Sequence, residues 1–138
     1  MPRRKRNRRI QVPPVIKGMS VFGFRGRRAN EVVLHLEEYE AIRLLDYQNL
    51  TQEEAAVHMD ISRPTLTRIY EEARRKVATA FVEGRGIIFR GGDIYFGKNW
   101  YKCNSCLASF NHHGNDKVVC PICGSYDIIS LNEFYSNK

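Results

Sequence analysis

The chain has 138 residues, enough for one medium domain or two small ones. Hydrophobic residues make up 43% and charged residues 27%, as in ordinary globular proteins, and no apolar run is long enough to cross a membrane. The basic start is followed only by the short, proline-interrupted run IQVPPVI, so we expect no secretory signal, no membrane partner and a cytoplasmic location.

Positive charge is concentrated at the start of the chain. The net charge is +7, and residues 1–30 hold ten of the 22 Lys and Arg residues but none of the 15 Asp and Glu residues. This basic segment has little periodicity, which predicts an extended arm suited to a polyanion such as nucleic acid. A solvated tail that only aids solubility is the alternative. The arm residues that we expect to contact DNA are Arg3, Arg4, Lys5, Arg6, Arg8 and Arg9.

Residues 31–83 predict a helical domain, which begins with a short apolar stretch, EVVLHL, compatible with a strand. The segment EEYEAIRLLDY (37–47) has apolar residues at helical spacing. Its exposed face is expected to carry three acidic side chains: Glu37, Glu38 and Glu40. In TQEEAAVHM (51–59), Thr51 and Glu54 form a capping-box pattern, in which each side chain binds a free backbone N–H at the helix start.

A third helix is predicted to begin after Ser62, although Pro64 follows closely. If Ser62 caps this helix, Arg63 and Pro64 occupy first-turn positions whose N–H groups need no intrahelical partner. A proline there favours the start of a helix. Apolar residues then recur at helical spacing from Leu66 to Phe81, which predicts one long helix with a single apolar stripe.

Only Asp60 and Ile61 separate the second and third helices. Helices joined so tightly must cross steeply, which predicts a helix-turn-helix. The turn position that usually holds glycine holds Asp60, a residue that tolerates a left-handed conformation better than most. The helix over 63–81 would enter the major groove with its first turns. Its predicted DNA contacts are Arg63 and Arg68 to guanine, Ser62 and Thr67 to phosphates or bases, and Pro64 to a thymine methyl.

The two helices bring no net charge to this motif, because residues 51–81 hold five basic and five acidic residues. Non-specific affinity for DNA comes from neutralising phosphates. The basic arm would therefore have to supply it. A helical bundle without a nucleic-acid partner is the alternative interpretation.

Two resemblances support DNA binding. The stretch LTQEEAAVHMDISRPTLTRIYEEARRKVATAF resembles the promoter-binding fourth region of bacterial sigma factors. Over roughly residues 1 to 95, the Arg-rich start and the motifs SRPTLTRI and EARRKVA resemble the prokaryotic family of predicted DNA-binding proteins called domain of unknown function 134. This resemblance implies DNA binding and no catalytic residues. The remaining sigma regions are absent, so the chain is not itself a sigma factor.

The second half of the chain predicts β-structure and a metal site. Residues 84–97 place two apolar runs around Gly91 and Gly92, a pattern typical of a β-hairpin connector. Residues 98–138 carry the pattern C-x2-C-x13-C-x2-C, which in the cytoplasm favours a metal site over disulfides. Two such pairs suit tetrahedral zinc. We therefore predict a small β zinc ribbon with one structural Zn²⁺, held by Cys103, Cys106, Cys120 and Cys123.

The predicted fold class is α+β with two small domains: a mainly α helix-turn-helix domain followed by a β zinc ribbon. The leading hypothesis is a sequence-specific double-stranded DNA-binding transcription regulator. We expect no enzyme, because four cysteines leave a metal no open position and the chain shows no constellation of nucleophile and base. A homodimer is compatible with this hypothesis, since one recognition helix contacts few base pairs.

Two further function classes stay open at this point. One is an RNA-binding or assembly adaptor, in which the arm and the ribbon contact RNA, RNA polymerase or another protein. The other is a zinc or thiol redox sensor, in which metal loss or cysteine oxidation releases DNA.

Overall fold

A computed structural model of the chain describes residues 7–23 and 30–136. The described part is mixed α/β, with four α-helices and several strands. The helices are α1 (Leu36–Ile42), α2 (Gln52–His58), α3 (Arg63–Glu83) and α4 (Leu131–Ser136), and α1 continues as a π-helical turn over Arg43–Tyr47. The strands are β1 (Arg8–Ile10), β2 (Gly18–Met19), β3 (Val32–His35), β4 (Ile87–Arg90), β5 (Ile94–Phe96), β6 (Trp100–Cys103), β7 (Ser109–Asn111) and β8 (Ile128–Ser130).

The strands form three small sheets. β1 pairs with β5 in parallel, β4 lies between antiparallel β2 and parallel β3, and β6 lies between β7 and β8 in an antiparallel sheet. The predicted hairpin is therefore not formed, although both of its strands exist on either side of the Gly91–Gly92 turn. β5 joins β1 instead of β4, since this pairing buries Phe96 and Ile10 in one cluster.

The first-turn signals of the helices act as predicted. The Thr51 hydroxyl accepts a hydrogen bond from the Glu54 N–H at 3.2 Å, and the Thr51 N–H donates to the Glu54 carboxylate at 3.1 Å. Ser62 is the N-cap of α3, and Pro64 lies in its first turn. The helix ends at Gly84, which takes the left-handed conformation that ends many helices, with φ +64°.

The acidic face of α1 was predicted to be exposed, and this prediction is wrong. Glu37, Glu38 and Glu40 are buried, because β1 and α3 pack over this face of the helix. The Glu40 carboxylate accepts a hydrogen bond from the backbone N–H of Gln11 at 2.6 Å. Glu38 accepts one from the Lys76 ammonium at 2.7 Å. Periodicity located the helix correctly but did not show that it is covered on this side as well.

The described residues form four hydrophobic clusters, of which the fourth surrounds Cys103, Phe110 and Cys120 beside the sheet of β6, β7 and β8. The first lies where α1, α2 and α3 meet, and the second lies between α3 and the sheet of β3 and β4. The third combines Ile10, Leu36, Phe96 and Leu131, so it joins the first strand to the last helix. Asn132 strengthens this junction, since its side chain accepts a hydrogen bond from the Phe96 N–H at 2.7 Å and donates one to the Phe96 carbonyl at 3.1 Å.

Two further observations concern the helices. In the apolar stripe of α3, Leu66, Ala73 and Ala80 are buried, whereas Phe81 is exposed. Within residues 7–23 and 30–136, none of the helices combines the length and the apolar composition needed to cross a membrane.

Candidate nucleic-acid interface and metal centre

The turn between α2 and α3 is tightly fixed. Asp60 has φ +57°, which confirms the left-handed conformation predicted at this position. Its carboxylate accepts a hydrogen bond from the Tyr95 hydroxyl at 3.2 Å, so β5 supports the turn from outside. Ala55 and Ala56 are buried where the helices cross, and their small side chains allow a close approach.

The first turns of α3 present polar side chains to solvent. Ser62, Arg63, Pro64 and Arg68 are exposed. The Arg63 guanidinium lies 3.4 Å from the Glu53 carboxylate, but both side chains are more than half exposed, so this is a weak surface pair. Arg68 donates a hydrogen bond to the Thr65 hydroxyl at 3.3 Å. Among the residues that the structure describes, neither arginine is held by a buried acceptor.

Thr67 occupies a different environment from the other predicted DNA contacts at the start of α3, which are Ser62, Arg63, Pro64 and Arg68. It is half-buried, and its hydroxyl donates to the Gln52 side-chain oxygen at 2.6 Å. This bond joins the starts of α2 and α3. Thr67 therefore contributes to the relative placement of the two helices.

Arg9 lies in β1, next to the turn between α2 and α3. Its backbone N–H donates to the Met59 carbonyl at 3.0 Å, and its guanidinium donates to the carbonyls of His58 at 2.8 Å and Val57 at 3.1 Å. The last carbonyls of a helix lack intrahelical partners, and cations are favourable there. Arg9 thus caps α2, a role that its place in a basic run did not indicate.

Arg8 is also part of the packed structure. Its guanidinium lies 3.3 Å from the Asp93 carboxylate and 3.6 Å from that of Glu37, and its side chain is only 12% exposed. Burial raises the pKa of Glu37, although the charge of Arg8 acts in the opposite direction. DNA contacts by Arg8 and Arg9 stay predictions, and these contacts would compete with protein acceptors. Arg3, Arg4, Lys5 and Arg6 lie outside the described residues.

The four cysteines converge at one end of the sheet formed by β6, β7 and β8. Their sulfur atoms all lie within 4.8 Å of one another, so the cluster can hold a metal ion. The sulfur of Cys103 lies 3.6 Å from that of Cys123, and the same distance separates Cys106 from Cys120. Cys103 and Cys120 are buried, whereas Cys106 and Cys123 are exposed, so each pair contributes one inner and one outer thiol.

The two cysteine turns have the same pattern of backbone hydrogen bonds. In each, the N–H of the residue after the second cysteine donates to the carbonyl of the first: Leu107 to Cys103 at 3.0 Å, and Gly124 to Cys120 at 2.9 Å. Both residues have positive φ, +65° for Leu107 and +77° for Gly124. Glycine adopts this conformation readily, whereas leucine seldom does.

The backbone favours the thiolate form of the two buried cysteines, Cys103 and Cys120, whereas desolvation and hydrogen bonds between the thiols raise the pKa of Cys106 and of Cys123. The N–H of Cys106 donates to the Cys103 sulfur, and this hydrogen bond lowers the pKa of Cys103 to about 6. The N–H of Cys123 lowers the pKa of Cys120 in the same way. Thiolates are the form of cysteine that binds metals. His112 and His113, between the two pairs, instead contact Asp116 at 3.2 Å and Asn99 at 3.0 Å.

Comparison with known proteins shows one family. A family model described as "Protein of unknown function DUF134" matches residues 1–96. A UPF0251 protein of Halothermothrix orenii is 41% identical over 89% of this chain and 95% of its own length. A UPF0251 protein of Caldicellulosiruptor saccharolyticus is 43% identical over 93% of this chain and 88% of its own length.

The similarity extends to archaea. A UPF0251 protein of Methanothermobacter thermautotrophicus is 41% identical over 93% of this chain and 67% of its own length. No solved structure matches the chain. The match over residues 1–96 and the relatives in bacteria and archaea show that the chain belongs to the prokaryotic DUF134 family, whose members carry the name UPF0251 protein.

Proposed function

We propose that the chain is a sequence-specific double-stranded DNA-binding protein and a transcription regulator. In this proposal α2 and α3 form a helix-turn-helix, and the first turns of α3 enter the major groove. The observation that carries the proposal is the exposed surface at the start of α3, which combines Ser62, Arg63, Pro64 and Arg68 directly after a fixed turn. Arginine side chains in such positions donate bidentate hydrogen bonds to guanine.

The position of β1 supports a joint role for the helix and the basic arm. The backbone N–H of Arg9 is bonded to Met59, the residue that begins the turn before α3. In the sequence, the basic residues at positions 3–6 precede Arg9 by three to six residues. The arm can thus neutralise phosphates of the same duplex whose bases α3 contacts, and it supplies the positive charge that the two helices lack.

Selection of bound duplexes from a random pool tests sequence-specific binding. We expect a preferred site, and a salt dependence of affinity that flattens when residues 1–9 are deleted. Because the deletion also removes two of the three residues of β1, a variant with neutral residues at positions 3–6 keeps β1 and serves as the cleaner comparison. Absence of any duplex preference at low salt would overturn the proposal.

A matched pair of arginines on α3 tests the orientation of the helix. We expect Arg68→Ala to cost about 1–3 kcal/mol of specific affinity and to relax the preference at one position of the site. Arg75→Ala is the control, because Arg75 is also exposed on the same helix but lies two turns further along. An equal loss for both variants would mean that α3 contacts phosphates only.

We also propose that the cysteine cluster holds one structural zinc ion and that β6, β7 and β8 form a zinc ribbon. Tetrahedral zinc with Zn–S bonds of about 2.3 Å places its sulfur ligands about 3.8 Å apart. The 3.6 Å distances between Cys103 and Cys123 and between Cys106 and Cys120 are close to this value. Native mass spectrometry should show one zinc ion per chain and its loss in Cys103→Ser.

The exposed side chains around the cysteines favour a second candidate function, contact with another protein such as RNA polymerase. Leu107, Ile122 and Tyr126 lie on or beside the two cysteine turns, and each is about half exposed or more. Solvent-exposed apolar groups on a rigid scaffold are typical of contact surfaces. Cross-linking of purified polymerase to the wild-type chain but not to Ile122→Ser would support this role.

Equal affinity for structured RNA and duplex DNA would favour the RNA-binding alternative.

A further inference from the structure

A groove of about 470 Å³ lies between the part of the chain up to β4 and the part from β6 onwards, which we call the two halves of the chain. Residues 14–17 and the end of β4 line one side, and β6, the first cysteine turn and α4 line the other. Small-molecule sites commonly have volumes of about 300–1,000 Å³ and form where two units of structure meet. The groove is separate from the exposed start of α3, since none of the α3 residues lines it.

The lining of the groove is positively charged. Lys17, Arg90 and Lys102 contribute to it, whereas the described residues place no carboxylate in the lining. Lys17 and Arg90 are exposed and form no ion pair within residues 7–23 and 30–136. Of the described cations outside the groove, some, such as Arg68 and Lys98, do not lie within 4.0 Å of a carboxylate, and six do, namely Arg8, Arg43, Arg63, Arg75, Lys76 and Arg85. Two cations facing an acid-free groove suit an anionic ligand.

Lys102 adds a cation whose position is fixed. Only 7% of the residue is exposed, and its ammonium lies 3.3 Å from the Ser109 hydroxyl and 5.1 Å from the centre of the Phe134 ring. A lysine held between a hydroxyl and a ring face loses little further freedom when an anion binds. Preorganisation of this kind increases affinity because less entropy is lost on binding.

The remaining lining is apolar and aromatic. Val15 is 95% exposed, Leu107 is 47% exposed, and Phe134 and Tyr135 of α4 complete this side. Cations combined with an apolar wall match a ligand that has a phosphate group at one end and a planar or apolar group at the other. Clustered lysine and arginine suit phosphate better than a single carboxylate, since phosphate offers three acceptor oxygens.

We propose that this groove, lined by Lys17, Arg90, Lys102 and the aromatic side chains of α4, binds a nucleotide. The ligand is a free nucleoside phosphate or a nucleotide within a bound nucleic acid, and both present a phosphate group to the same cations. Binding would bridge β4 and α4, so it would strengthen the contact between the two halves of the chain. The inference goes beyond the proposed function, and binding of a free nucleotide is measured without DNA.

Calorimetric titration of the metal-loaded, full-length chain with ATP tests the proposal, with adenosine as the uncharged comparison. We expect ATP to bind and adenosine to bind at least tenfold more weakly, because adenosine lacks the phosphates. Lys17→Gln and Arg90→Gln should each weaken ATP binding about tenfold, as expected for one lost charge-assisted hydrogen bond. Lys98→Gln is the matched control, because Lys98 is exposed but does not line the groove. All three sites are on the surface, and far-UV circular dichroism verifies the fold of each variant.

A second series distinguishes the two sources of the nucleotide. If ATP does not bind but Arg90→Gln and Lys17→Gln reduce affinity for a mixed-sequence duplex while Lys98→Gln does not, the nucleotide belongs to the bound nucleic acid. The proposal is overturned if all three variants behave like the wild-type chain toward both ATP and duplex. It is also overturned if Lys98→Gln weakens binding as much as Arg90→Gln, since the effect would then reflect overall charge. Failure of the proposed DNA function would leave the ATP result unaffected.

Discussion

The guanidinium group of Arg9 caps the C-terminal end of α2. Its two hydrogen bonds to helix carbonyls are charge-assisted, and such bonds contribute about 1.5–3 kcal/mol. We therefore expect Arg9→Ala to lower the free energy of unfolding by about 1–3 kcal/mol, measured by urea denaturation. Arg68→Ala, on the exposed start of α3, should leave stability almost unchanged. Lost duplex affinity with unchanged stability in Arg9→Ala would instead identify Arg9 as a DNA contact.

The burial of Glu37 should make stability depend on pH. Its pKa in the folded chain is raised above the ordinary value of 4.5, chiefly by burial, so the folded chain binds more protons than the unfolded chain in this range. The contribution of Glu37 to stability must then decrease as pH rises above about 4.5 through the raised pKa. We expect Glu37→Gln to remove this decrease in urea titrations at a series of pH values.

The contribution of Glu54 to stability should depend on pH in the opposite direction to that of Glu37. Its carboxylate accepts the Thr51 N–H, which lowers the pKa of Glu54, so its stabilising effect should be lost as the pH falls through that lowered pKa. Glu54→Gln should therefore alter the acid limb of the stability profile. The interpretation of Glu37 fails if both variants change the profile with the same sign.

At the scale of elements, the turn between α2 and α3 depends on one left-handed residue. Adopting this conformation costs about 1–2 kcal/mol for residues other than Gly, Asn and Asp. We expect Asp60→Ala to destabilise the chain by about that amount, and by slightly more because the hydrogen bond from Tyr95 is also lost. Asp60→Asn should cost much less, since asparagine tolerates φ of +57° and retains an acceptor. Equal unfolding midpoints for the two variants would contradict this account.

The starts of the helices were predictable from sequence, because capping is a local property. Thr51 with Glu54, and Ser62 with Pro64, lie within three residues of each other, so the pattern contains all the interacting groups. Strand pairing is not local. β1 and β5 are separated by more than 80 residues, and nothing in either strand identifies the other as its partner. The sequence therefore located the strands around Gly91 but not their pairing.

The same distinction between local and long-range interactions explains which parts of the candidate site could be predicted from the sequence. The four cysteines were predictable because two short, repeated spacings define the ligand set. The exposed residues of α3 followed from the position of its cap. The capping role of Arg9 and the buried carboxylates of α1 depend on the packing of β1, which sequence periodicity does not report.

At the scale of the whole molecule, metal removal should separate two hypotheses. The C-terminal sheet is small, so metal binding would supply much of its folding free energy. We expect a chelator to abolish the near-ultraviolet circular dichroism of Trp100 in β6, while the helical far-ultraviolet signal and duplex affinity persist. The metal is then structural. A large loss of duplex affinity on chelation, restored by zinc, would instead support the sensor hypothesis.

The cluster of Ile10, Leu36, Phe96 and Leu131 also sets the order of events during synthesis of the chain. Its members are spread along nearly the whole polypeptide, and translation adds about 5–20 residues per second. Ile10 therefore leaves the ribosome many seconds before Leu131 exists, and β1 must wait for β5 as well. During this interval Arg9 cannot be held in place by β5 beside α2. A nascent chain would thus place Arg9 beside α2 only after β5 has been made, and it would complete the cluster only when its last helix is added.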